Sequence, residues 1–191
     1  MDTTRPSLLL RVRHADDQKA WQEFFKLYSP LLGRFARSRG LGADEADDVA
    51  QECMNTLSRT MATFDYSSDK GSFKNYLFTH VSHQIADRLR KKRARQADSG
   101  EWRDLAAPTE DATAEWDRHW LQEHLAYCLK RLESDFSPTT VAAFKLYVLK
   151  EWPVEEICET LGMTANQVYL AKSRVTKRLR GELSELIGDE F

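Results

Sequence analysis

Between Ala165 and Arg180 the chain carries Lys172, Arg174, Lys177, Arg178 and Arg180, with no acid among them. Val168, Ala171, Val175 and Leu179 recur through the same segment at helical spacing, so one stripe packs while the opposite side faces water. Advancing about 100° per residue, that outer side holds Asn166, Tyr169, Leu170, Ser173, Lys177 and Arg180, flanked by Gln167, Arg174 and Thr176. Asn and Gln can pair bidentately with adenine and Arg with guanine, and an outward Leu can meet a thymine methyl. The chemistry on offer is readout of base edges in a DNA major groove. An ordinary helical hairpin with a solvated basic face is the alternative, and the one-sided charge weighs against it.

Such a helix needs a partner and a tight turn to aim it. Pro153 suits the first turn of a helix, where a missing N–H is harmless. Val154, Ile157 and Leu161 then follow one buried face. Gly162 stands where a helix closes in the left-handed conformation, and Thr164 can cap the helix that follows. Trp152 to Arg180 therefore predicts a helix-turn-helix. Upstream, Ser137-Pro138 starts a helix with Val141, Phe144 and Val148 inward, and Leu121, Leu125, Leu129 and Leu132 predict a long helix before it.

A second chemistry lies in Asp44-Glu45-Ala46-Asp47-Asp48-Val49-Ala50-Gln51-Glu52. Val49, Cys53, Leu57 and Met61 fall at i+4 steps and mark the packed side, leaving a face of carboxylates suited to a cationic partner. Acids at a helix N-terminus oppose its dipole, which accounts for Asp44 as cap and for Glu45 but not for acids continuing to Glu52. A two-metal carboxylate site is the rival reading, and no His or distant acid cluster supports it.

A third set combines rings and bases. Phe64, Tyr66, Phe73 and Tyr76 offer stacking platforms, and Lys74, Arg88, Lys91, Lys92 and Arg95 offer a cationic track, the two requirements for holding a single strand. The helical phase of Phe73 and Tyr76 also suits the core, whereas Tyr66 sits in a polar loop. His80 and His83 are spaced i, i+3, which permits metal binding but is more simply incidental among polar neighbours.

The 191 residues carry a net charge of −2, are 41% hydrophobic and contain only 5 Pro and 8 Gly. Apolar residues at helical spacing almost throughout predict an all-α chain. No apolar run reaches the length of about 20 residues that crosses a bilayer, and the first residues lack a signal-peptide layout. Cys53, Cys128 and Cys158 show no Cys-x-x-Cys spacing, so a disulfide framework and a zinc site are not expected and a reducing cytoplasm fits. The small net charge hides segregation. Residues 88–95 hold six bases and no acid, while 96–117 hold seven acids against Arg103 alone. The expected organisation is a helical domain at 7–95, a flexible acidic linker at 96–117 and a second helical domain at 118–187. In the first, Trp21, Phe24, Phe25, Tyr28, Leu31, Leu32 and Phe35 form an apolar stripe that Pro30 should kink or split.

Three segments in this order resemble the bacterial RNA polymerase sigma-70 family, in its extracytoplasmic-function group. They are the acidic segment Asp44–Glu52, similar to region 2.2; Gly71-Ser72-Phe73-Lys74-Asn75-Tyr76-Leu77 through Asp87-Arg88-Leu89-Arg90, similar to regions 2.3 and 2.4; and Glu155-Glu156-Ile157 through Leu161-Gly162-Met163-Thr164, similar to region 4. The resemblance covers roughly 8–95 and 118–185. It implies that 7–95 is sigma region 2 and 118–187 is sigma region 4. The implied partners are core RNA polymerase, through its β′ clamp and β flap, and promoter DNA, with an anti-sigma factor as a further partner; no membrane, cofactor, metal or enzymatic activity is implied.

By resemblance, Asp47, Asp48, Gln51 and Glu52 dock on the β′ clamp coiled coil. Tyr66, Lys74, Asn75, Tyr76, His83, Arg88, Lys91 and Lys92 meet the minus-ten element. Thr164, Asn166, Gln167, Tyr169, Leu170, Ser173, Arg174 and Lys177 read the minus-thirty-five element. The acidic linker would imitate RNA in the polymerase exit channel; a merely disordered tether is equally compatible. Tyr76 stands where the family usually has Trp, and His83 where it has Asn. Tyr169-Leu170-Ala171-Lys172 departs from the usual basic and serine run, so the promoter sequence cannot be borrowed. Two other functions fit parts of the chain: a stand-alone helix-turn-helix regulator, and a module whose basic faces bind an acidic inhibitor.

Overall fold

The computed structural model describes residues 8–64, 73–95 and 110–187, and among these every regular element is helical. The chain divides into two compact units, residues 1–123 and 124–191. Tyr66 and residues 96–109 of the expected linker lie outside the described residues.

The first unit contains α1 (Leu8–Arg11), α2 (Gln18–Ser38), α3 (Ala43–Thr60) with a 3-10 turn at Met61–Thr63, α4 (Phe73–Arg95) and the first part of α5 (Glu110–Leu132). Asp17 caps α2 by accepting from the Ala20 amide at 2.9 Å, and Arg11 clamps the same carboxylate at 3.1 Å. α2 neither splits nor ends at Pro30; it runs unbroken over 21 residues. Pro30 is exposed, so water can replace the amide donor that the ring lacks. The apolar stripe is buried from Phe24 to Phe35 except Phe25, which is 53% exposed. Asp44 is not the cap of α3. Gly42 holds that position, and Glu45 reaches back to accept from the Gly42 amide at 3.0 Å.

The linker expected over 96–117 is corrected at its C-terminal end. Residues from Glu110 onward belong to α5, and Ala112, Trp116 and Trp120 are buried. Trp116 lies edge-on to Phe35 at 5.0 Å and near Phe78 at 5.9 Å; Trp120 packs at 5.6 Å from Tyr28. Two of the linker acids are paired within the unit, Glu115 with Arg39 at 3.6 Å and Asp117 with Lys74 at 2.9 Å. Acids spaced among alanines read as tether in composition, but two indoles i, i+4 apart bury enough apolar area to hold a helix. The buried phase of α5 thus follows Trp116, Trp120, His124 and Cys128, and Leu121 is exposed at 44% instead of inward.

The second unit holds the end of α5, α6 (Pro138–Phe144), a π-helical turn (Lys145–Leu149), α7 (Val154–Leu161) and α8 (Ala165–Ile187). Ser137 caps α6 by accepting from the Thr140 amide at 3.2 Å. Cys128, Leu129, Leu132, Phe144, Val175 and Leu179 form one apolar cluster, and Ala143, Ile157, Val168 and Ala171 another. The π turn, closed by the Lys150 amide on the Lys145 carbonyl at 3.1 Å, shifts the helical phase. Val148 is therefore 37% exposed and not inward as the α-helical spacing requires. Pro153 precedes the first residue of α7 as its N-cap.

The connection into α7 leaves Glu151 at φ 54°, the single described non-glycine residue with positive φ. A side chain there costs about 1 kcal/mol that glycine avoids. Glu151→Gly should therefore stabilise the second unit by up to about 1 kcal/mol, seen as a higher denaturation midpoint for that unit.

Candidate functional site

The acidic face of α3 is present as a surface. Asp47, Asp48, Gln51 and Glu52 are all exposed, while Val49, Ala50, Cys53 and Leu57 between them are buried. The carboxylates are matched by internal cations. Arg37 of α2 lies 3.3 Å from Asp47, and Arg88 of α4 reaches both Asp48, at 3.3 Å, and Glu52. Lys92 contacts Glu45 at 3.0 Å. The Gly42 amide and then Lys92 hold the Glu45 carboxyl below its ordinary value of 4.5. Its contribution to the start of α3 is therefore present above that value and is lost as pH falls through the lowered one. Beside this face, Trp21, Gln22, Phe25, Lys26, Met54 and Asn55 line a shallow, largely apolar hollow. Asn55 follows Gln51 by one helical turn, so the hollow and the acidic face are continuous.

The residues expected to meet the minus-ten element are not equally exposed. Lys91, Asn75 and His83 are exposed, whereas Lys74 is largely covered beside Asp117 and Arg88 is committed to α3. Tyr76 is half-buried, with its ring 4.9 Å from Phe64 and its hydroxyl 3.4 Å from Thr60 Oγ1. Phe73 is core, 1% exposed. His80 stacks parallel to Tyr76 at 6.3 Å and has its Nε2 buried without a partner. Burial, aided by neighbouring His83, pushes its pKa down and favours the neutral ring. The side chain of Arg95 lies outside the described residues.

In the second unit Gly162 closes α7 at φ 64°, ψ 34°, the left-handed cap that allows a sharp exit. Thr164 and Gln167 form a reciprocal cap: the Gln167 amide donates to Thr164 Oγ1 at 3.3 Å, and Gln167 Oε1 accepts from the Thr164 amide at 2.8 Å. That bond engages the Gln167 amide group expected to read a base. Asn166, Tyr169, Leu170, Ser173, Arg174 and Lys177 are exposed together along α8, and Val168, Ala171, Val175 and Leu179 are buried behind them. Glu182, 6% exposed, bonds Arg131 at 3.3 Å and Arg178 at 2.8 Å. Arg178 therefore braces the unit and does not extend the outer face.

One further residue borders this surface. Tyr147, from the π turn, lies edge-on to Tyr169 at 5.8 Å and under the Lys172 ammonium at 5.2 Å. Helical spacing gave no signal for it, because the π turn alters the phase.

Burial pushes the Cys53 and Cys128 thiols up to about 12, so neither is a nucleophile near neutral pH. Among the described residues no cluster of three or more His, Cys, Asp or Glu is placed to hold a metal, and no helix is long and apolar enough to cross a membrane.

Two exposed charged surfaces are thus present, an acidic one on α3 and a basic one on α8. Residues 24–95 match the sigma-70 region 2 family. The chain is 26% identical over 180 residues to the ECF RNA polymerase sigma factor SigM of Mycobacterium tuberculosis, covering 94% of this chain and 83% of that protein. It is 28% identical over 96 residues to the ECF RNA polymerase sigma factor RpoE of Cereibacter sphaeroides, covering 50% of this chain and 52% of the other. A solved structure of CnrH in complex with the cytosolic domain of CnrY aligns over 93% of this chain and 95% of that one, at 18% identity and a TM-score of 0.36. The chain is thus similar to sigma-70 region 2 over residues 24–95, and to extracytoplasmic-function sigma factors over most of its length.

Proposed function

We propose that this protein binds core RNA polymerase in the cytoplasm and directs it to promoters, the first unit opening the minus-ten element and the second reading the minus-thirty-five element in duplex form. The observation that carries this reading is the outer face of α8: six side chains suited to base or phosphate contact, exposed together on a helix held by a left-handed glycine and a reciprocal cap. The acidic face of α3 with its adjoining apolar hollow suits the β′ clamp coiled coil, giving charge attraction at the rim and a place for apolar anchors. Phe64 and Tyr76 provide ring surface and Lys91 an exposed cation for strand capture, with Asn75 and His83 alongside. In the second unit Val148, Leu149 and Trp152 are exposed, and they suit the β flap.

A stand-alone regulator would share the second unit but has no use for the acidic face. Electrophoretic mobility shift on duplex promoter DNA separates the two readings. The sigma reading expects weak binding by the free protein and a stable complex, with reactive unpaired thymines, only when core polymerase is added. Tight operator binding by the free protein would defeat it.

Tyr147 enters the same surface. Its ring restricts Tyr169 and steadies Lys172, so Tyr147→Ala should weaken minus-thirty-five binding by about 1 kcal/mol, roughly fivefold. Tyr147→Phe should keep most of the affinity, since the ring and not the hydroxyl makes both contacts. Titration of each variant with polymerase holoenzyme on the same promoter measures the difference.

A further inference from the structure

The cation that the minus-ten reading assigns to DNA and the carboxylates that it assigns to polymerase are bonded to each other. Asp48 and Glu52 are one turn apart on α3, and the guanidinium of Arg88 on α4 spans both, with 3.3 Å to Asp48. The Arg88 side chain is 27% exposed, against 77% for Arg90 on the same helix. Lys92 repeats the pattern one turn later, on Glu45. Helices α3 and α4 already pack through buried stripes, Val49, Cys53 and Leu57 on one and Leu77, Val81 and Ile85 on the other. The surface pairs are therefore not required to hold the helices together.

We infer that Arg88 is a shared residue that couples polymerase docking to DNA contact. In the free protein Asp48 and Glu52 hold its guanidinium and neutralise its charge, which lowers the attraction of α4 for phosphate. When a cationic helix of the polymerase settles on the same two carboxylates, it takes over their negative charge and repels Arg88. The arginine then turns to the nearest remaining anion, the promoter backbone. Each binding event removes the competitor of the other, so the two are positively linked and by the same factor in both directions. The coupling is modest because exposed ion pairs are weak, on the order of fivefold to tenfold in affinity for two pairs. This inference rests on the proposed docking of α3 on polymerase and of α4 on DNA.

The test uses the full-length protein without polymerase and a fluorescein-labelled, mixed-sequence single-stranded DNA, read by fluorescence anisotropy. Asp48→Asn with Glu52→Gln should raise affinity about fivefold to tenfold and steepen the dependence on log salt by about one phosphate contact. In an Arg88→Gln background the same two substitutions should change affinity by less than about twofold, since only the general effect of lost negative charge remains. No gain in the first comparison, or an equal gain without Arg88, overturns the coupling. Circular dichroism of each variant confirms that these exposed substitutions leave the helices folded. Association of the wild-type chain with core polymerase is measured on the same preparations. Loss of that association defeats the docking reading itself, whereas intact association with an Arg88-independent gain defeats only the coupling.

Discussion

Asp48→Arg should abolish stable association with core RNA polymerase, with a loss of roughly a hundredfold or more in affinity, about 3 kcal/mol. The Asp48 side chain is 60% accessible on the outer face of α3 and pairs with Arg88. Reversal replaces an attraction for a cationic partner by a repulsion, and it also sets two arginines against each other. The fold should survive, because the buried side of α3 is unchanged and surface substitutions usually alter stability by less than about 0.5 kcal/mol. Interferometry with immobilised core enzyme measures the loss, and unchanged affinity would remove α3 as the docking surface.

The second large effect is expected in the core of the first unit. Trp116→Ala should destabilise the first unit by about 3–5 kcal/mol. The indole is 1% exposed and touches Phe35, Phe78 and Trp120, at 5.0, 5.9 and 5.9 Å between ring centroids. Truncation leaves a cavity among rings on α2, α4 and α5, which cannot all close over it. Urea denaturation followed by far-ultraviolet circular dichroism reports the change. A loss below about 1 kcal/mol would mean that residues 110–123 are tether after all, not part of the first unit's core.

The contrast between α8 and α5 explains what the sequence alone could disclose. In α8 the apolar period, the glycine and the capping threonine all agree, so its buried and exposed faces were legible from residue types. In α5 the local signals disagree. Seven acids between Gln96 and Asp117 suggest solvent, yet Glu115 and Asp117 find cations on distant segments and two tryptophans find a ring-lined cleft. Those partners lie on α2 and α4, distant in the chain, and no periodicity within the segment encodes them. The π turn is a different case. Its altered phase exposes Val148 and brings Tyr147 to Tyr169, a change of hydrogen-bond register that helical spacing does not announce.

The candidate residues divide in the same way. The positions of Asp47, Asp48, Gln51 and Glu52 on one face followed from spacing. That Arg88 serves two of those acids, 40 and 36 residues away, is a tertiary fact. Composition assigned Arg88 and Lys74 to a free cationic track, whereas in the folded chain both are paired with acids. Gln167, chosen for its amide chemistry, spends that amide on the cap of its own helix. Residue type established what each group can do; tertiary partners decided which are free to do it.

The most direct measurement is reconstituted transcription with purified core polymerase on a randomised promoter library, followed by sequencing of the transcripts. Transcripts should depend on this protein and start at templates enriched for one minus-ten and one minus-thirty-five sequence at fixed separation. Transcripts identical with and without the protein, or enrichment of no shared sequence, would contradict the proposed function.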